Sequence, residues 1–127
     1  MPRILIVDDD PMHRALISKA IAGGGHESFF AADGRAALEL CQHTSVDLVV
    51  TDMVMPELDG LELLKALMED HPKIPIIAIS GTSAEKLNKS ARFGAHAILI
   101  KPLDPEELLR EIENALEGEG TGSDDQI

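Results

Sequence analysis

The chain has 127 residues, a net charge of −12 and 44% hydrophobic residues, enough for one globular domain and its core. A surface this acidic repels phosphate backbones and argues against direct nucleic-acid binding, and apolar runs of no more than four residues argue against a membrane span. The single cysteine, Cys41, leaves no internal disulfide and no thiolate zinc site, and the absence of Trp and Tyr removes the usual base-stacking platform.

Ile4 to Val7 is a continuous aliphatic run, with no basic segment or long apolar stretch ahead of it. No signal peptide is therefore expected, and the expected location is cytoplasmic. Met12, Leu16, Ala20 and Ile21 then share one face of a predicted helix, which breaks at Gly23-Gly24-Gly25. Ser28 to Ala31 reads as an edge strand and Gly34 to Cys41 as a helix, with Cys41 a small buried hydrophobe. Leu48 to Val50 is a second aliphatic strand, followed by a helix whose apolar face carries Leu61, Leu64, Leu67 and Met68. Ile76 to Ile79 is a strand and Ser83 to Phe93 a helix, with Ala84, Leu87 and Ala91 inward and Gly94 as its stop. Ala97 to Ile100 is the last strand. Asp104 then caps a helix with Pro105 at its first position, and Leu108, Leu109, Ile112, Ala115 and Leu116 make its apolar stripe. Residues 1–117 form the domain. Residues 118–127, Gly-rich and acidic, are expected to be a disordered tail or the start of a linker to a further segment.

Runs buried on both faces, alternating with amphipathic helices, predict five βα units: an α/β fold with a doubly wound parallel sheet and helices on both faces. Ligands of such sheets sit beyond the carboxyl ends of the strands. Asp8, Asp9 and Asp10 follow the first run, Asp52 follows Leu48 to Val50, Ser80 follows Ile79, and Lys101 follows Ile100. Packed carboxylates need a counter-ion, and oxygen ligands without His or Cys favour Mg²⁺, or Mn²⁺, over zinc. An ammonium and a hydroxyl in the same place suit a phosphoryl group, which a carboxylate can receive as nucleophile. The reading is metal-dependent phosphoryl transfer onto an aspartate. Capping alone explains Asp10 before Pro11, but it does not explain Ser80 and Lys101. Met53 and Met55 read as packing residues, Asp59 as the opening of its helix, and the five histidines as scattered surface or half-buried positions.

Four stretches in order now carry a resemblance: Ile4-Leu5-Ile6-Val7-Asp8-Asp9-Asp10-Pro11, Asp52-Met53-Val54-Met55-Pro56-Glu57-Leu58-Asp59-Gly60, Ile79-Ser80-Gly81 and Lys101-Pro102. Together with Ala32 to Leu38 they resemble the signature of response-regulator receiver domains, over roughly residues 3 to 117. The resemblance implies a flavodoxin-like fold with five parallel strands in the order 2-1-3-4-5 flanked by five helices. It implies Asp52 as phosphoacceptor, Asp8, Asp9, Asp52 and the carbonyl of Val54 around Mg²⁺, and Lys101, with a cis bond to Pro102, bridging Asp52 and the phosphoryl oxygens. Ser80 would hydrogen-bond the phosphoryl group beside small Gly81, and Val54 and Thr82 would tune its hydrolysis, here towards slow loss. The implied donor is a sensor histidine kinase or a histidine phosphotransfer protein, and the implied output is contact with a protein effector of unknown identity, with no direct nucleic acid or membrane partner. Such a domain is not an enzyme in the turnover sense: it catalyses only its own phosphorylation and dephosphorylation.

Two positions depart from the family pattern. Ile98 stands where the family usually has Tyr or Phe, and Leu103 where Phe is common. A branched aliphatic side chain cannot swing an aromatic ring in and out, so output is expected to run through the Gly81 to Ser90 segment or to be weakly coupled. Two rival readings are an aspartate-nucleophile, Mg-dependent phosphohydrolase using Asp8 within Asp8-Asp9-Asp10, and a receiver-like scaffold that is never phosphorylated. A chain this short leaves no room for the cap that encloses a hydrolase substrate.

Overall fold

Isoleucine and valine dominate the runs that become strands, because branched side chains pack well on a pleated surface covered on both sides. The computed structural model describes residues 2–53, 60–81 and 94–126. Strands β1 (Arg3–Val7), β2 (Glu27–Ala31), β3 (Leu48–Asp52), β4 (Ile76–Ser80) and β5 (Ala97–Ile100) form one parallel sheet in the order β2-β1-β3-β4-β5. Helices α1 (Pro11–Gly23), α2 (Gly34–His43), α3 (Gly60–Asp70) and a C-terminal helix (Pro105–Gln126) complete the described elements. The doubly wound order expected from the sequence is the order found. Four helices are seen among the described residues rather than five, because the helix expected at Ser83 to Phe93 lies outside them.

Alternation along the strands divides the core in two. Ile4 and Ile6 point to the side covered by Ile17 and Ile21 of α1 and by Leu108, Ile112 and Ala115 of the C-terminal helix. Leu5 and Val7 point to the other side, against Ala37 and Cys41 of α2 and Leu63, Leu64 and Leu67 of α3. Cys41 is buried as expected, and burial pushes its thiol above the usual cysteine range, which keeps it protonated and unreactive.

The caps follow the residue chemistry of helix starts. Asp10 accepts the Met12 amide at 3.0 Å and Asp33 the Ala36 amide at 2.8 Å, while Asp104 accepts the Glu106 amide at 3.0 Å. One expectation needs correction. Met12 and Leu16 do not face the core: Met12 is 82% and Leu16 41% exposed, and Ile17 and Ile21 make the buried stripe instead. Successive helical residues turn by roughly 100°, so the stripe set by Ile17 lies about a quarter-turn from Leu16. The helix that begins at Pro105 runs to Gln126.

Gly94, at the turn into β5, has φ of +94°. A side chain there meets backbone strain, and its Cβ would lie 3.2 Å from Met68 Cε. Gly94→Ala is expected to cost about 1–2 kcal/mol, read in urea unfolding as a lower midpoint at unchanged slope. An unchanged midpoint would show that the turn relaxes without cost.

Candidate functional site at the carboxyl edge of the sheet

β1 and β3 are neighbours whose crossovers leave in opposite directions, which opens a crevice beyond their carboxyl ends. The register pairs Val7 with Thr51, so the next residue on each strand, Asp8 and Asp52, enters that crevice side by side. Asp52 ends β3 opposite Ile79, and the adjacent β4 ends at Ser80. Ser80 in turn pairs with Ile100, and Lys101 follows directly.

Carboxylate oxygens of Asp8, Asp9 and Asp52 lie within 4.8 Å of one another. Asp8 and Asp52 are buried, and Asp9 is exposed. At an effective dielectric of about 20, two such charges repel by about 3 kcal/mol. Lys101 offsets part of this: its Nζ donates to Asp52 Oδ2 at 3.2 Å, and the peptide bond to Pro102 is cis. The lysine reaches across β4 because Gly81 lies under its stem, where an added Cβ would be 3.4 Å from Lys101 Cδ. Three carboxylates against one ammonium still leave the cluster strongly negative. This all-oxygen donor set can hold a hard divalent cation.

The Ser80 hydroxyl is buried and makes no hydrogen bond among the described residues. A buried hydroxyl in that state is costly, and it can donate to a ligand that enters the crevice. Five of the residues singled out in the sequence therefore converge: Asp8, Asp9, Asp52, Ser80 and Lys101. Gly81 adjoins them. Val54 and Thr82 lie outside the described residues, as do Met55, Asp59 and most of the Gly81 to Ser90 segment. Ile98 is half-buried on the edge strand β5, paired with Ala78, and Leu103 packs against the core on the α1 side.

Sequence reasoning missed His13. Its Nδ1 lies 2.5 Å from Asp8 Oδ2, because the first turn of α1 folds back over the loop that carries the aspartates. Arg14 acts nearby, donating from Nη1 to the Asp8 carbonyl at 3.0 Å while its guanidinium stacks 4.3 Å from the Phe30 ring centroid.

Residues 4–113 match the response regulator receiver domain family. The chain is 36% identical over 117 residues to the response regulator receiver protein CpdR of Brucella abortus, covering 91% of this chain and 98% of that protein. It is 37% identical over 114 residues to the transcriptional regulatory protein ZraR of Escherichia coli, covering 89% of this chain but only 26% of the relative. The chain thus spans about a quarter of the length of several curated relatives it matches. Among solved structures, a CheY-like response regulator receiver domain protein from Methanospirillum hungatei superposes with a TM-score of 0.90 at 29% identity, over 96% of this chain and 98% of that one. No helix among the described residues is long and apolar enough to cross a membrane. The strand order, the acidic crevice and these matches together make the chain a member of the response regulator receiver domain family of two-component signalling.

Proposed function

We propose that this domain is a phosphorylation-dependent signalling switch in which Asp52 accepts a phosphoryl group from a phosphohistidine on a sensor histidine kinase or a histidine phosphotransfer protein. The observation that carries this reading is the Lys101 ammonium on Asp52 at 3.2 Å, next to a buried Ser80 hydroxyl with no partner among the described residues. An Asp52 carboxylate oxygen attacks phosphorus, a new P–O bond forms, and the bond to the donor nitrogen breaks on the opposite side. Lys101 stabilises the charge on the phosphoryl oxygens, and the Ser80 hydroxyl donates to one of them. Asp8, Asp9, Asp52 and the carbonyl of Val54 would hold Mg²⁺, or Mn²⁺, which when bound neutralises charge on the transferring group.

Val54 and Thr82, neither acidic nor an amide, would border the path of hydrolytic water and favour a long-lived phosphoryl group. Output would pass to a protein effector through Gly81, the segment after it and Ile98. The domain would act in the cytoplasm and catalyse only its own phosphorylation and dephosphorylation. Both carboxylate oxygens of Asp8 are engaged by protein donors, which disfavours Asp8 as the nucleophile of a phosphohydrolase.

Reaction with an acyl phosphate and Mg²⁺, followed by borohydride reduction and peptide mapping, tests the assignment. Modification at Asp52 is expected. Modification at Asp8 would move the nucleophile and favour the hydrolase.

A further inference from the structure

Asp8 is held from every side. Its amide donates to the Ala31 carbonyl at 3.1 Å, its carbonyl accepts from Arg14 at 3.0 Å, and its Oδ1 accepts the Asp10 amide at 2.9 Å. The remaining oxygen, Oδ2, meets His13 Nδ1. An ionised carboxylate only accepts, so in this pair Nδ1 is the donor. Each carboxylate oxygen has two lone pairs, and the two protein donors use one on each. One lone pair per oxygen is left for a cation or for a water bound to it.

Among the described residues His13 is the side chain that donates to the Asp8 carboxylate, and it sits in the first turn of α1, half-buried beside an Asp8 that is only 1% exposed. The geometry points to His13 as a positioning residue of the cation site: its Nδ1–H fixes the plane of the Asp8 carboxylate so that Asp8, Asp9 and Asp52 meet a divalent cation without rearrangement. This inference rests on reading the cluster as a cation site. Donors that orient a ligating carboxylate are typically worth about 10–100-fold in metal affinity.

The chemistry of substitution separates a donor from a mere filler. Asparagine places its amide nitrogen one bond beyond Cγ, where Nδ1 stands. Glutamine carries its nitrogen one bond further, at the reach of Nε2. Leucine fills the volume and donates nothing. The test is a calorimetric titration of the full chain with Mg²⁺ alone, for wild type, His13→Leu, His13→Asn and His13→Gln, with thermal unfolding in metal-free buffer as a check on folding. His13→Leu and His13→Gln are expected to bind Mg²⁺ about 10–100-fold more weakly, with His13→Asn back within a few-fold of wild type. The Mg²⁺ concentration giving half-maximal labelling by an acyl phosphate is expected to move in the same order. Equal affinity in wild type and His13→Leu overturns the inference, as does equal weakening in Asn and Gln. If His13→Leu does not fold, the Asn and Gln pair alone decides. Failure of wild type itself to bind Mg²⁺ would bring down the reading of the site, a result distinct from either of these.

Discussion

Lys101→Met is expected to slow phosphorylation of Asp52 by about 10²–10³-fold, the usual cost of removing one charge-stabilising donor from a transferring group. Methionine keeps an unbranched apolar stem over Gly81, so the substitution removes the ammonium and little else. The Lys101 side chain is 37% exposed, and solvent screening limits what its pair with Asp52 adds to folding to under about 1 kcal/mol. Loss of rate should therefore far exceed loss of stability. Time-resolved intact mass with an acyl phosphate at saturating Mg²⁺ reads the rate, and urea unfolding reads the stability. A rate unchanged from wild type would reduce Lys101 to a solvated lysine at the end of a strand.

Asp9→Asn is expected to act on the cation alone. Asp9 is exposed and adds a third negative charge within 4.8 Å of Asp8 and Asp52. Neutralising it relieves repulsion in the metal-free protein and leaves both core faces untouched, so metal-free stability should hold or rise slightly. With Mg²⁺ at about 100 times its dissociation constant, wild type should gain about 2.7 kcal/mol, since the cation binds the folded state only. The variant at the same Mg²⁺ concentration should gain almost nothing. Thermal unfolding with and without Mg²⁺ measures both effects. Equal Mg²⁺ stabilisation in the two proteins would remove Asp9 from the site.

The sheet was legible because four of its five strands carry short aliphatic runs, and β1, β3 and β4 are buried along nearly their whole length. Placement of Asp8, Asp52, Ser80 and Lys101 followed from one topological rule, that residues just beyond the apolar run of each strand land at the same edge, with Thr51 intervening before Asp52. Local periodicity was less informative for α1. It grouped Met12 and Leu16 with Ala20 and Ile21, yet the stripe is set by which side of the helix meets Ile4 and Ile6, a long-range fact. His13 was illegible for a related reason: its contact with Asp8 depends on how the first turn of α1 leans over the preceding loop. Ile98 and Leu103 were recognised as departures from the family pattern. The structure shows what occupies those places, a half-buried isoleucine on an edge strand and a leucine packed into the core.

The central claim is that Asp52 is a phosphoacceptor, and intact-mass spectrometry of wild type and Asp52→Asn after incubation with an acyl phosphate tests it most directly. Mass serves where intrinsic Trp fluorescence cannot, because the chain has no Trp. The account predicts a gain of one phosphoryl group by wild type, only with Mg²⁺ present, and no gain by Asp52→Asn. Unlabelled wild type, or labelling that survives in Asp52→Asn, would contradict it.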